Sequence, residues 1–117
     1  MTDQSIEQEI QAKGLTAPRV TPKDIEDNMG AIYWINANDA AIAAGGPSHD
    51  SLAVLTICVI VTRSGFTVTG ESACASLENF DADVGKKVAF ENAKQKLWPL
   101  MGYALKERLF QSAQSPT

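Results

Sequence analysis

Four side chains in the second half of the sequence have the types and positions that a ligand site needs. Glu71 and Ser72 stand at the end of a predicted strand, where unpaired main-chain donors permit a polar pocket; the alternative is a bulge and turn. Phe80 begins a predicted helix, where it either packs into the core or stacks on a base. Asn92 lies one helical turn after Val88, and its amide needs a partner, either a main-chain group or a ligand. Stacking and amide hydrogen bonds are binding chemistry.

Metal binding and nucleophilic catalysis find little support, because the chain contains two cysteines and one histidine. A structural zinc site usually needs four Cys or His ligands, and a cysteine nucleophile needs a histidine to activate it. His49 lies in a Gly/Pro/Ser loop beside Asp50 and Ser51, a cluster typical of a solvated turn. Cys58 and Cys74 are predicted to remain free thiols, and no glycine-rich phosphate loop is present. We therefore expect no metal, no cofactor, no catalytic residues and no enzymatic activity.

Composition and charge restrict the class of partner. The 117 residues are 44% hydrophobic and 21% charged, the balance of one soluble domain. No apolar stretch reaches the roughly 18 residues of a membrane span, and the acidic, polar start is unlike a secretory signal, so we expect an intracellular protein without membrane contact. A net charge of −4 disfavours DNA and RNA as partners. Residues 82–110 nevertheless carry six bases against three acids, which suits a small anionic ligand.

The elements that must position these side chains follow from local patterns. Gly14 and Gly30 are predicted to end two short N-terminal helices, one over residues 6–13 and one that begins at Pro22 with Thr21 as its cap. Residues rich in β-branched and aromatic side chains predict three strands, over residues 31–35, 52–63 and 65–71. Ala-rich residues 40–44 form either one helical turn or a loop. The last residues, 112–117, are expected to be frayed.

The C-terminal third is predicted to be one long helix over residues 79–111. Val84, Val88 and Leu97 recur at near-helical spacing and predict the face that packs on the sheet. Trp98-Pro99 should end or sharply kink this helix, because proline lacks the main-chain donor and clashes with the preceding turn.

The second and third predicted strands, residues 52–63 and 65–71, follow each other closely enough to form a hairpin, and this hairpin has consequences for assembly. If Ser64-Gly65 forms a two-residue turn, Val59 faces Gly70 and Cys58 faces Glu71. Residues 54–61 are then apolar on both sides of the sheet, and a domain of this size has few helices to cover both. The second cover is expected to be another subunit. Together the elements predict one α+β domain, residues 1–117 with an ordered core over 6–111: a small antiparallel sheet with a central hairpin, packed against a long kinked C-terminal helix and short N-terminal helices.

The segments GFTVTGESACASLENFDADVGKKVAFENAKQKLWPLMGY and EQEIQAKGLTAPRVTPKDIED resemble the bacteriophage protein family named after gene products forty-nine and sixty-six of two podoviruses. The resemblance covers most of residues 6–107. Its most specific parts are residues 65–75, Asn79-Phe80-Asp81, Glu91-Asn92-Ala93 and Trp98-Pro99-Leu100. Members of this family are similar to the first family of Thoeris anti-defence sponges, phage proteins that sequester cyclic ADP-ribose isomers made by immune enzymes with TIR domains.

The resemblance implies a function and a set of site residues. It implies a stacking aromatic and an amide in the pocket, for which Phe80 and Asn92 are the motif positions. It also implies a second site for cyclic oligonucleotide signals with C-terminal basic residues, for which Lys96 and Arg108 are candidates. Such sponges form dimers that can assemble into hexamers and act in the cytoplasm of the infected bacterial host.

The function expected from the resemblance is sequestration of a cyclic nucleotide immune signal without cleavage, by a self-associating protein. Two alternatives remain open. A small phage accessory protein that binds and inhibits a host protein would need only an exposed apolar patch, which the two-sided strand could supply. A nucleotide-processing enzyme is disfavoured because no convincing acid and base pair can be assembled from the chain.

Overall fold

The computed structural model describes residues 2–15 and 17–114, which fold into an α+β structure, as predicted. The helices are α1 (Asp3–Ala12), α2 (Pro22–Asp27), α3 (Ala37–Ala43), α4 (Asp50–Ala53), α5 (Ala82–Gln95) and α6 (Leu97–Gln114). The strands are β1 (Met29–Asn36), β2 (Leu55–Thr62) and β3 (Thr67–Ala73). In the described part of the chain, no helix is both long enough and apolar enough to cross a membrane. The chain divides into two compact units, residues 29–96 with the sheet and residues 1–28 with 97–117.

The sheet of the 29–96 unit is antiparallel, with β2 between β1 and β3. Along β2, buried and half-buried residues alternate, as the two-residue period of a strand requires. Cys58 and Ile60 are fully buried on one face, and α5 packs against this region through contacts with β2 and β3.

The turn between β2 and β3 is one residue longer than the sequence-based prediction, which was wrong. The Thr62 amide donates to the Phe66 carbonyl at 2.8 Å, so three residues, 63–65, form the loop. A favoured two-residue turn needs a positive φ at its first residue, which would be Ser64. The positive φ of this loop, +91°, belongs instead to Gly65. Glycine adopts that conformation without a steric penalty, whereas serine does not.

The longer turn shifts the pairing of the strands by one residue. Cys58 lies opposite Gly70, and Ile57 lies opposite Glu71. Because side chains alternate between faces, this shift moves every β3 side chain to the other side of the sheet relative to the prediction. Gly70 therefore lies on the buried face, under α5.

The residues that pack α5 against the sheet are smaller than predicted. Gly85, Ala89 and Ala93 are the buried residues of α5, whereas Val84 and Val88 are 55% and 43% exposed. The prediction of a valine face was therefore wrong. The reason is that Gly70 of β3 has no side chain, so the backbone of α5 can approach the sheet closely.

This approach is closest at Gly70. A Cβ added there would lie 2.2 Å from the Ala93 nitrogen and 2.3 Å from the Ala89 carbonyl oxygen. A second close approach joins α5 to β2, where a Cβ on Gly85 would lie 3.0 Å from the Thr56 hydroxyl oxygen. Larger side chains at these positions would push the helix away from the sheet.

The opposite face of the sheet is apolar as well. Tyr33 and Ile35 of β1 lie opposite Val59 and Ile57 of β2, so these four side chains share one face. Val59 and Ile57 are half-buried, and Tyr33 and Ile35 are 56% and 37% exposed. We call this set of four residues the apolar sheet face.

The other unit contains α1, α2 and α6, and α2 contacts α6. Helix α2 begins at Pro22 with Thr21 as its cap, as predicted. Helix α1 begins at Asp3, earlier than predicted, because Thr2 and Ser5 form a capping box. The Arg19 guanidinium holds the segment after α1 by donating to the Glu7 carboxylate, with one of the contacts at 2.8 Å.

The predicted long helix is interrupted at Lys96, which caps α5 before α6 begins at Leu97. The break was predicted at Trp98-Pro99, and the structure places it just before these two residues. Pro99 is the third residue of α6, a position where a missing N–H leaves no intrahelical bond unmade. Helix α6 continues to Gln114, so residues 112–114 are helical; residues 115–117 of the segment predicted to be frayed lie outside the described chain.

Candidate functional site

A cavity of about 240 Å³ opens at one end of the sheet in the 29–96 unit. It lies where β1 ends, β2 begins and α5 starts. Its lining residues are Trp34, Ile35, Asn36, Asp39, Thr56, Phe80, Ala82 and Lys86. The lining thus combines two aromatic rings, one carboxylate and one ammonium group within a single unit of the fold.

Trp34 lines the cavity and is held in place by a hydrogen bond and by a neighbouring ring. It pairs with Cys58, so it lies on the same face of the sheet as α5. Its indole N–H donates to the Lys86 carbonyl at 3.0 Å, and its ring lies 6.3 Å from that of Phe90. The side chain is nevertheless 43% exposed. A fixed and partly exposed ring with a satisfied N–H is a suitable surface for stacking.

Phe80 lies in the connection between β3 and α5. A 3-10 turn over Leu77–Asn79 precedes it, and the Phe80 amide donates to the Leu77 carbonyl at 3.2 Å. One edge of the half-buried ring packs near Gly85, since a Cβ added to that glycine would lie 3.6 Å from the ring. Phe80 therefore packs against α5, which is the first alternative considered from the sequence, and its side chain also lines the cavity.

The polar groups of the lining differ in how far they are already engaged. The Asn36 side-chain oxygen accepts from the amides of Asn38 and Asp39 at 3.0 and 3.1 Å, and its nitrogen donates to the Ala53 carbonyl at 3.0 Å. Asn36 thus caps α3 and ties its start to the last residue of α4. Asp39 and Lys86 are both exposed at the cavity, and they bring opposite charges to it.

The first turn of α5 is closed to a bound anion by its own cap. The Asp81 carboxylate accepts from the amides of Asp83 and Val84 at 2.9 and 3.1 Å. Asp81 is therefore the N-cap, and α5 begins three residues after Asn79, the first residue of the predicted helix. Because a carboxylate already occupies the positive end of the helix, a phosphate at this cavity would be attracted by Lys86 and not by the helix terminus.

The strand end and Asn92, both predicted as site residues, lie at the same end of the sheet. The Asn92 amide donates to the Glu71 carbonyl at 2.8 Å, which is the main-chain partner considered as one alternative from the sequence. Ser72 lies opposite Thr56, which lines the cavity. Asn92 stands two helical turns, about 10 Å, beyond Gly85 along α5. The structure thus joins Glu71 to Asn92 and places Ser72 beside the strand that carries the cavity.

Two further candidates, Lys96 and Arg108, are not among the residues that line the cavity. Lys96 is the C-cap residue of α5, at the opposite end of that helix from Phe80. Arg108 is an exposed residue of α6, in the other unit of the fold. Of the six predicted site residues, Phe80 is the one that lines the cavity.

Sequence reasoning missed Trp34, Asp39, Thr56 and Lys86 as cavity residues. The available signal was an aromatic residue near the end of a predicted strand, followed by Asn36, which can cap a helix. That pattern predicts a chain reversal at the end of the strand, but it does not show which later residues meet it there.

The buried thiol of this unit is unsuited to nucleophilic chemistry. Burial in apolar surroundings raises the pKa of Cys58 above its ordinary value, which disfavours the reactive thiolate. Cys74 is also a free thiol, and its sulfur contacts the Ser76 carbonyl oxygen at 3.2 Å. Within residues 2–15 and 17–114, no group of three or more His, Cys, Asp or Glu side chains is arranged to hold a metal ion.

Comparison with known proteins gives one family. Residues 1–109 match the phage protein (N4 Gp49/phage Sf6 gene 66) family. No curated protein and no solved structure matches the chain.

Proposed function

Because the chain belongs to this family of phage proteins, we propose that it is an immune-evasion protein that binds and sequesters a cyclic nucleotide signal. The ligand class is the cyclic ADP-ribose isomers, held without cleavage in the cytoplasm of the infected bacterial host. The observation that carries the proposal is the cavity, where Trp34 and Phe80 stand together with Lys86. The resemblance of the motif residues to Thoeris anti-defence sponges supplies the class of ligand.

The lining suits the chemistry of such a ligand. A base stacked on an aromatic side chain contributes about 1–3 kcal/mol to binding, and two aromatic residues line the cavity. The ammonium group of Lys86 can neutralise part of the charge of a pyrophosphate. Sequestration requires binding and no bond cleavage, so it needs no general acid or base.

The size of the cavity supports partial enclosure of the ligand. About 240 Å³ is the volume of roughly eight water molecules and lies below the roughly 300 Å³ at which sites for drug-sized ligands begin. A nucleotide larger than one nucleoside would extend out of the cavity. Ser72, opposite the lining residue Thr56, and Asn92, bonded to the Glu71 carbonyl, are polar groups at this end of the strand. A ligand of this kind would use the predicted strand-end residues together with the cavity.

We propose further that the protein self-associates. Tyr33 and Ile35 expose large apolar side chains on the apolar sheet face, and removal of this face from water against a second copy would favour assembly. A dimer that assembles into a hexamer is the arrangement expected from the family resemblance. Lys96 and Arg108 remain the candidates for a second site that binds cyclic oligonucleotides.

The apolar sheet face also favours a second candidate function, inhibition of a host protein by direct binding. Partner-binding surfaces are commonly exposed apolar patches, and the exposed Tyr33 would lie at the centre of such a contact. The two functions differ in their ligand. A sponge binds a purified nucleotide without any host protein, whereas an inhibitor needs its protein target.

The test is calorimetry of the purified protein with a cyclic ADP-ribose isomer, followed by heat denaturation and mass spectrometry of the released nucleotide. We expect saturable binding and an unchanged mass after release. Lys86→Gln should weaken the binding at low salt more than at high salt, since the lost contact is electrostatic. Lys13→Gln, which changes the exposed lysine at the C-cap of α1, is the control.

Absence of binding would argue against the sponge and leave the host-protein inhibitor as the better account. Recovery of a cleaved nucleotide would show that the protein is an enzyme instead.

A further inference from the structure

The charges that line the cavity have a consequence for how a nucleotide would be oriented in it. Asp39 and Lys86 contribute opposite charges to one small cavity, from α3 and α5 respectively. A phosphate group is repelled by the carboxylate and attracted by the ammonium group. A ligand with one anionic end therefore enters with that end at Lys86 and with its uncharged end toward Asp39.

The uncharged end of a nucleotide is the base, and the Asp39 carboxylate suits a base that donates hydrogen bonds. An ionised carboxylate only accepts hydrogen bonds, so Asp39 can pair with an N–H donor and not with a carbonyl. Asn36 cannot share this role, because both ends of its amide are engaged with main-chain groups. The Asp39 carboxylate is thus a charged acceptor in the lining that can bind the edge of the base.

The face of the base would be held by Trp34. Its indole N–H already bonds to the Lys86 carbonyl, so a base that covers the ring leaves no polar group of tryptophan unsatisfied. The same bond fixes the ring next to the residue that attracts the phosphate. Stacking on Trp34 of β1 and attraction to Lys86 of α5 would therefore hold base and phosphate at two neighbouring residues.

We propose that this cavity is a base-selecting subsite in which Trp34 stacks on the base and Asp39 accepts a hydrogen bond from its exocyclic amine. The ligand class is an amino-bearing purine nucleotide, adenine in the first place. This inference rests on the proposed function and extends it, because it assigns the choice of base to two residues outside the motifs that suggested the function.

The discriminating experiment compares two probes, a cyclic ADP-ribose isomer and its hypoxanthine counterpart, in which a carbonyl replaces the exocyclic amine. The wild-type protein should bind the adenine probe at least about tenfold more tightly, since a carboxylate faces a carbonyl in the other complex. Asp39→Asn supplies an amide that can donate or accept, so it should remove this preference. Asp50→Asn, which changes the corresponding first-turn carboxylate of α4, should leave the preference unchanged.

Stacking is tested with the same two probes. Trp34→Leu keeps an apolar side chain without the aromatic surface and should lower the affinity for both probes by about tenfold. Trp34→Phe keeps a ring, loses the bond to the Lys86 carbonyl, and should weaken them less than Trp34→Leu does. Circular dichroism of each variant separates these effects from loss of the fold.

The outcomes separate this inference from the function it rests on. If the adenine probe binds but Asp39→Asn shifts both affinities equally, Asp39 does not select the base and sequestration stands. Equal affinities of Trp34→Leu and wild type would likewise overturn the stacking role alone. If neither probe binds to the wild-type protein, the proposed function and the subsite both fail.

Discussion

Replacement of Gly70 by alanine should push α5 away from the sheet, destabilise the fold and weaken nucleotide binding at the candidate site. The added methyl group would lie 2.2 Å from the Ala93 nitrogen and 2.3 Å from the Ala89 carbonyl oxygen. Both obstructing atoms belong to the main chain of α5, so no side-chain rotation can relieve the contact. The helix itself has to move.

The size of the effect follows from this geometry. Ordinary contacts of a Cβ begin at 3.4 Å, so α5 must retreat by roughly 1 Å. Overpacking of a core costs about 1–3 kcal/mol, and we expect a loss near 3 kcal/mol in the free energy of unfolding because main-chain atoms are involved. For a chain of this length, that corresponds to a fall in Tm of roughly 10 °C.

The assay is urea and thermal unfolding of wild type, Gly70→Ala and a matched control, Gly102→Ala. Gly102 lies inside α6, and a Cβ added there meets nothing within 4 Å, so this variant should be stabilised by up to about 1 kcal/mol. Nucleotide binding by folded Gly70→Ala should also weaken, because α5 carries Lys86 and the carbonyl that fixes Trp34. Equal stability of Gly70→Ala and wild type would show that the close contact between α5 and β3 is wrong.

Three further predictions concern the site, the assembly and the pH dependence. Phe80→Ala and Asn92→Ala should each weaken binding of a cyclic ADP-ribose isomer by about tenfold or more in calorimetry, while circular dichroism shows that the fold is retained. Unchanged affinity in both variants would exclude these residues from the site. The protein should be at least a dimer at micromolar concentration by native mass spectrometry, and Tyr33→Asp should yield monomer; a wild-type monomer would refute this. Hydrogen bonds from Arg19 lower the pKa of Glu7 to about 2 from 4.5, so these bonds stabilise the fold fully above pH 4.5 and lose their effect as the pH falls toward 2. In urea unfolding, Glu7→Gln should therefore have a lower free energy of unfolding than wild type at pH 6, and this difference should narrow below pH 4.5. A difference that does not change with pH would contradict the prediction.

The sequence by itself determined the features that depend on neighbouring residues. The cap at Thr21 and the proline after it fix the start of α2, because both act within one helical turn. The run of β-branched residues fixes the central strand, and glycine and proline punctuate the chain between elements. The α+β class and the family followed from these local patterns and from the motifs around Phe80 and Asn92.

The tertiary structure alone decided which faces and which distant residues meet. A one-residue difference in the turn at Gly65 reverses the faces of β3, and the bare main chain at Gly70 selects the small residues of α5 over Val84 and Val88. No local pattern contains this information, because the close approach depends on two elements at once.

The cavity illustrates the same limit. Phe80 was predicted from its motif, whereas Trp34, Asp39 and Lys86 come from three other elements, β1, α3 and α5, and converge only after the sheet has paired and α5 has docked. Local preferences act over about one helical turn, while these residues span more than fifty positions along the chain. The pairing register and the packing of α5 therefore determine the composition of the site, and both are properties of the folded chain.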